Sequence, residues 1–264
     1  MKRVFILPNL FTAANLFLGV LAIIESIRAS TDEGKSAIYA CWFILAAAVM
    51  DALDGKVARV MKAESDFGLQ FDSLADLISF GAAPAFLIYI TFLQDMGNQH
   101  LAALATITFV ICGALRLARF NVQVGDEEKK SFTGLPIPAA ACMVVSAFLV
   151  LREYGDPLYM IKGLPVLMIV LALLMVSKIS YPSFKSLPLE KAKSFQVLFY
   201  IVLVGCLLYG LKDFKEILIF LLFLSYLGFG VYCEIFQSVT GRRLPISEAL
   251  DESADETSSE QDIP

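Results

Sequence analysis

The stretch Cys41-Trp42-Phe43-Ile44-Leu45-Ala46-Ala47-Ala48-Val49-Met50-Asp51-Ala52-Leu53-Asp54-Gly55-Lys56-Val57-Ala58-Arg59 decides the fold. It continues an apolar run that opens near residue 37, and the whole run to residue 61 has the length needed to cross roughly 30 Å of hydrocarbon. A single segment in lipid must satisfy its own backbone hydrogen bonds, so the run is predicted to be a membrane-spanning helix. Asp51 and Asp54 nevertheless stand inside it. An acid at the centre of a spanning helix costs about 2.5 to 3.5 kcal/mol on insertion scales, so these two positions point to function.

Outward from this helix, apolar stretches of about 17 to 25 residues recur along almost the entire chain. Their approximate extents are 9 to 27, 37 to 61, 67 to 93, 100 to 120, 135 to 152, 158 to 177, 195 to 211 and 214 to 237. The predicted fold is therefore all-α, a polytopic transmembrane helical bundle of about eight spans. With 58% hydrophobic residues among 264, the chain carries more apolar surface than a soluble core of that length could hide. The first stretch has Asn9, Thr12 and Asn15 in its opening turns and no clear small-residue cleavage site, so it is expected to stay as a span and not to be a cleaved signal.

Charge sets the expected orientation. An even span count with a cytoplasmic N-terminus gathers about 15 Lys and Arg residues on one side against about 6 on the other, which predicts that both termini face the cytoplasm. The net charge of -5 arises in the final stretch, where Glu248, Asp251, Glu252, Asp255, Glu256, Glu260 and Asp262 outweigh it. That polar tail, residues 242 to 264, has no apolar period to offset its ordering entropy and is predicted to be disordered. The five cysteines are scattered singly in apolar runs, which argues against a disulfide framework or a thiolate metal site. His100, the one histidine, lies in a polar turn with no acidic partner nearby and reads as structural.

The chemistry is concentrated where the second span meets the third. After Asp51 and Asp54, the chain continues to Gly68-Leu69-Gln70-Phe71-Asp72-Ser73-Leu74-Ala75-Asp76. Asp51, Asp54 and Ala58 share one helical face, and Gly68, Asp72 and Asp76 follow each other at i+4 steps on the next helix. Lys62 to Asp66 suffice for the turn, with Ser65 or Asp66 available as a cap, so the two acidic faces can oppose each other. All-oxygen ligands without thiolate or imidazole describe a site for a hard divalent cation such as Mg²⁺, Mn²⁺ or Ca²⁺, and four carboxylates are enough for two. Paired cations suit a pyrophosphate substrate. Gly55 and Gly68 would let a nucleotide approach the helix backbones, and Arg59 is a good phosphate partner. The plainer alternative is an interfacial cluster in which these acids pair with Lys56, Arg59 and Lys62.

The spacing D-x-x-D-G-x-x-A-R-x8-G-x-x-x-D-x-x-x-D, carried by Asp51, Asp54, Gly55, Ala58, Arg59, Gly68, Asp72 and Asp76, resembles the signature of the CDP-alcohol phosphatidyltransferases. Further runs are similar to the phosphatidylserine synthase branch of that family: Pro8 to Phe17, Ser79 to Ala85, Gly113 to Asn121 and Phe132 to Pro138. The resemblance implies that Asp51, Asp54, Asp72 and Asp76 hold two divalent metals, Mg²⁺ or Mn²⁺, with Ca²⁺ as the alternative. It implies that Gly55, Ala58, Arg59 and Gly68 contact the CDP-lipid, and that Asp76 is also the catalytic base. The implied reaction transfers the phosphatidyl group of CDP-diacylglycerol, or its CDP-archaeol equivalent, to the hydroxyl of L-serine with loss of CMP. The implied setting is the cell membrane with the active site toward the cytoplasm, in a homodimer among membrane lipid, with no nucleic acid partner. Residues 1–178 would form the catalytic core of about six spans, and 179–241 two additional C-terminal spans.

Serine carries a carboxylate beside an ammonium, so its pocket should offer a fixed cation. Arg116 and Arg119, at i and i+3 near the end of the fourth span and followed by Asn121, are the candidates, although both could serve only as snorkelling anchors. Other acceptors, glycerol phosphate, inositol phosphate or an aminoalcohol, fit the same signature. A transporter would also hide acids in a membrane, but near the midplane of an ion path and not at one end of paired helices. The unrelated phospholipase D-like route to the same product needs two His-x-Lys motifs, which one histidine cannot supply.

Overall fold

The computed structural model describes residues 6–32, 34–60, 65–94, 99–123, 134–155, 157–177, 179 and 215–240. Within these the chain is helical: α1 (Ile6–Arg28), α2 (Lys35–Val60), α3 (Asp66–Asp76), a π-helical turn (Leu77–Ala82), α4 (Ala83–Gln94), α5 (Gln99–Gln123), α6 (Ile137–Tyr154), α7 (Pro157–Val176) and α8 (Lys215–Thr240). Among the described residues, five helical stretches are long and apolar enough to cross a membrane: Asn9–Arg28, Lys35–Gly55, Phe67–Thr91, His100–Val122 and Ile137–Tyr154. Lys162–Val176 and Glu216–Gly228 are shorter apolar stretches. The all-α membrane bundle expected from the sequence is what forms. The expected span over 195 to 211 and the tail over 242 to 264 lie outside the described residues.

The chain divides into two compact units, residues 1–130 with 134–178, and residues 131–133 with 179–264. In the first unit, α1 and α2 form the most extensively packed pair. Several of their buried positions are alanines, Ala22, Ala37, Ala40 and Ala47, which lets backbones approach where lipid offers no hydrophobic gain from association. The turn between them closes on Gly34, whose φ of 78° is left-handed and whose N–H donates to the Ala29 carbonyl at 3.0 Å. Asp32 accepts the first-turn N–H of Ser36 at 2.9 Å and its hydroxyl as well, and these bonds hold its carboxyl below the usual range.

α6 lies at the centre of the unit. Every residue from Ala140 to Leu149 is buried, so the helix is covered all round. α2, α4, α7 and the π turn pack against it. The outer helices instead leave one apolar face open: Phe17, Val20, Ile24 and Ile27 on α1, and Leu104, Ile107, Ile111 and Leu115 on α5. These steps of three and four residues are stripes suited to lipid. In the second unit, α8 exposes Leu221, Leu222, Leu224 and Tyr232.

The third expected span is continuous from Asp66 to Gln94 but widens over Leu77–Ala82, where the Ala83 N–H reaches the Ile78 carbonyl. Pro84 follows at once. Proline has no N–H to give the carbonyl four residues back, and its ring crowds that carbonyl, so the wider turn relieves the clash. The same widening carries Ser79 against α1. Its hydroxyl donates to the Asn15 carbonyl at 3.0 Å, and Gly19, one turn on, faces Ser79 so closely that a β-carbon there would stand 2.7 Å from Ser79 Cα. Gly134, with φ of 93°, and Leu135, whose N–H donates to the Leu174 carbonyl at 3.1 Å, fasten the start of α6 to the end of α7.

The contact of α1 with the π turn gives the first test. Gly19→Ala must push α1 away from Ser79 backbone, an overpacking cost of about 1 to 3 kcal/mol. We expect a lower melting temperature in detergent and reduced activity for Gly19→Ala. Gly163→Ala, where a β-carbon meets nothing within 4 Å, should melt as the parent does.

Candidate metal and nucleotide site

α2 brings Asp51 and Asp54 into the bundle in its last turns, and α3 brings Asp72 and Asp76. Between the two caps open to it, α3 uses Ser65, whose hydroxyl accepts the Gly68 N–H at 3.0 Å. The i+4 spacing then stacks Asp72 and Asp76 on one face toward α2. The result is a cluster of three carboxylates, Asp51, Asp72 and Asp76, each with an oxygen within 4.8 Å of the others. Asp76 is buried, and the other two are partly exposed.

Three like charges at this spacing repel. At an effective dielectric of about 20, each ionised pair costs at least about 3 kcal/mol, and the surrounding bundle raises the desolvation cost further. A cation bound at about 2.0 to 2.6 Å from each oxygen fits a set whose members are less than 4.8 Å apart. The donor chemistry agrees, since only carboxylate oxygens are gathered, as Mg²⁺, Mn²⁺ or Ca²⁺ prefer. The cluster could therefore hold a divalent metal.

Asp54 stands apart from this group of three. It is buried, and its Oδ2 accepts a short hydrogen bond from the Thr12 hydroxyl. Among the described residues nothing hydrogen-bonds its Oδ1, also buried. An ionised oxygen left so is costly, and a bound cation would satisfy it. Asp76 is held from the opposite side, where the Asn15 amide donates to its Oδ1 at 3.0 Å. Arg116 on α5 is near enough to act on Asp76 electrostatically.

The remaining sequence candidates divide. Gly55 is exposed, and open space lies where a β-carbon would stand, so bare backbone faces outward. Gly68 is partly exposed, and a β-carbon there would lie 3.1 Å from Ser65 Oγ and 3.6 Å from Asn9 Oδ1. The side chains of Lys56, Ala58 and Arg59, and the turn at Lys62, lie outside the described residues. Arg119 donates to the Val176 carbonyl at 3.1 Å, which ties the end of α5 to the end of α7 and separates its role from that of Arg116. Asn121 links α5 to α3 by donating to Ser73 Oγ at 3.0 Å and to Gln70 at 3.4 Å.

Thr12, Asn15 and Ser73 had not been marked as site residues by the sequence. For Thr12 and Asn15 the available signal is polarity at i and i+3 inside an otherwise apolar first helix, which marks the residues without their partners.

The family model for CDP-alcohol phosphatidyltransferase matches residues 5–178, the span that contains all of these groups. The chain belongs to the CDP-alcohol phosphatidyltransferase family. It is 38% identical over 239 residues to the CDP-diacylglycerol–serine O-phosphatidyltransferase of Helicobacter pylori strain J99, covering 89% of this chain and 93% of that protein. It is 34% identical over 189 residues to the Bacillus subtilis protein of the same name, covering 71% of this chain and 96% of the relative. It is also 39% identical over 178 residues to the archaetidylserine synthase of Methanothermobacter thermautotrophicus, covering 67% and 69% of the two chains.

If the three carboxylates act as one cation site, removing either partly exposed member should abolish it. We expect Asp51→Ala and Asp72→Ala to lose the stabilisation that CDP with Mn²⁺ gives the parent in a thermal shift. Retention of that stabilisation by both variants would separate these residues from cation and nucleotide binding.

Proposed function

We propose that this protein transfers the phosphatidyl group of CDP-diacylglycerol, or the archaetidyl group of CDP-archaeol, to the hydroxyl of L-serine. The observation that carries this reading is the convergence of Asp51, Asp72 and Asp76 from two membrane helices in a chain of this family. The names of its relatives support serine as the acceptor.

The chemistry proceeds as one displacement. Asp76 takes the proton of the serine hydroxyl, and the serine oxygen attacks the phosphorus that bears the lipid. The bond from that phosphorus to the oxygen shared with the CMP phosphate breaks, and CMP leaves with that electron pair. Asp51, Asp54, Asp72 and Asp76 would hold divalent cations, Mg²⁺ or Mn²⁺, which when bound clamp the pyrophosphate oxygens and offset developing negative charge. Gly55 presents backbone to open space beside the acids, suited to the close approach of a nucleotide. Gly68, Ala58 and Arg59 complete the CDP-binding set.

Of the two arginines, Arg116 is the better reader of the serine carboxylate. Its charge acts at Asp76, beside the reacting hydroxyl, while Arg119 donates to the Val176 carbonyl at the end of α7. A guanidinium can grip a carboxylate through two parallel bonds, which a lysine ammonium cannot reproduce. The Lys and Arg bias supports a site opening to the cytoplasm, where serine and the CDP head group meet.

An acceptor panel with purified protein, CDP-diacylglycerol and Mn²⁺ or Mg²⁺ tests the reading. Serine should release CMP and yield phosphatidylserine, and EDTA should stop the reaction. Faster turnover with glycerol phosphate or inositol phosphate would replace serine as the acceptor. We expect Asp76→Asn to bind CDP-lipid while turnover falls by about 10² to 10⁴. We further expect Arg116→Lys to raise the KM for serine by about tenfold with little change for CDP-lipid, and Arg119→Lys to affect serine KM less.

A further inference from the structure

We infer that Asn15 on α1 is a positioning residue for the transfer, acting through Asp76. This rests on the assignment of Asp76 as the base. Asn15 is fully buried, and its amide donates to Asp76 Oδ1 at 3.0 Å across 61 residues of sequence. Its own backbone carbonyl accepts from the Ser79 hydroxyl at 3.0 Å, three residues beyond Asp76. α1 therefore grips this helix at the carboxylate and again one turn beyond it, once through a side chain and once through backbone. Gly19 allows the close approach of α1 to Ser79.

The amide sets the carboxylate's rotation. With Oδ1 engaged by Asn15, the rotation of the group is held while an Asp76 oxygen lies within 4.8 Å of those of Asp51 and Asp72. Asparagine suits this duty because it donates a hydrogen bond while staying neutral, and a cationic donor would compete with metal at the same acids. Its choice also has a cost that packing alone would avoid: among the described residues, no group hydrogen-bonds the buried Asn15 Oδ1. An apolar residue of similar size would fill the volume without that penalty. The donor is thus what the position retains.

Three variants of the full-length protein, assayed with CDP-diacylglycerol, Mn²⁺ and serine, test this. Asn15→Leu keeps volume and removes the donor, and its kcat should fall by about 10- to 100-fold while the KM values for both substrates stay within about threefold. Asn15→Asp keeps shape but sets a like charge against Asp76, and should turn over no faster than Asn15→Leu. Ser79→Ala cuts only the backbone bond on the far side of the same contact and should keep most of the parental kcat. The inference is overturned if Asn15→Leu keeps parental kcat, if kcat and both KM values deteriorate together, or if Ser79→Ala loses as much as Asn15→Leu. Should Asn15→Leu fail to accumulate, Asn15→Ala is read by the same criteria. Failure of the base assignment is distinguishable, because Asp76→Asn would then turn over near normally, whereas failure of this inference alone leaves Asp76→Asn inactive and Asn15→Leu active.

Discussion

Carboxylates inside a membrane bundle are the constraint on which the rest of this structure depends. Asp51, Asp72 and Asp76 approach within 4.8 Å of each other within helices long and apolar enough to cross a membrane. Repulsion and desolvation both oppose that arrangement, so a folded chain that keeps it must recover the cost from a partner. A hard divalent cation is the partner whose ligand preferences match the set. On this view the acids are expensive to keep, and a bound divalent cation would offset that cost.

The scaffold around them serves to fix their directions. α6 is buried on every side and gives α2, α4 and α7 a common surface to pack on. α1 supplies Thr12 to Asp54 and Asn15 to Asp76, so the first helix holds one acid from each of the two acidic helices. The π turn after Asp76 brings Ser79 onto α1, and Pro84 supplies a physical reason for that turn. At the other side, Arg119 and Asn121 anchor the end of α5 to α7 and α3, which steadies Arg116 one turn earlier.

Much of this was legible in the sequence because it depends on periodicity. Span-length apolar runs located α1, α2, α5, α6 and α7, and the i+4 steps of Gly68, Asp72 and Asp76 marked one face of α3 correctly. The opposition of that face to α2 followed from the shortness of the turn. Less visible were contacts between distant segments. Nothing local in Asn15 says that its amide will meet Asp76, and Arg116 and Arg119, similar on paper, part company only once α7 supplies the Val176 carbonyl. The joint grouping of Asp54 with the other acids reflected shared helical phase, whereas its rotamer answers to Thr12 on a third helix. The π turn was also outside the reach of a pattern tuned to 3.6 residues per turn, although Pro84 lay in plain view.

The central claim, that these carboxylates exist to hold a divalent cation, is tested most directly by counting the cation. Purified protein in nanodiscs can be titrated with Mn²⁺, and the free ion followed by electron paramagnetic resonance, with and without CDP. We expect saturable binding of at least one Mn²⁺ per chain, tightened by CDP and displaced by Mg²⁺. Absence of saturable binding both with and without nucleotide would contradict the account and leave the acids to be explained by pairing within the protein.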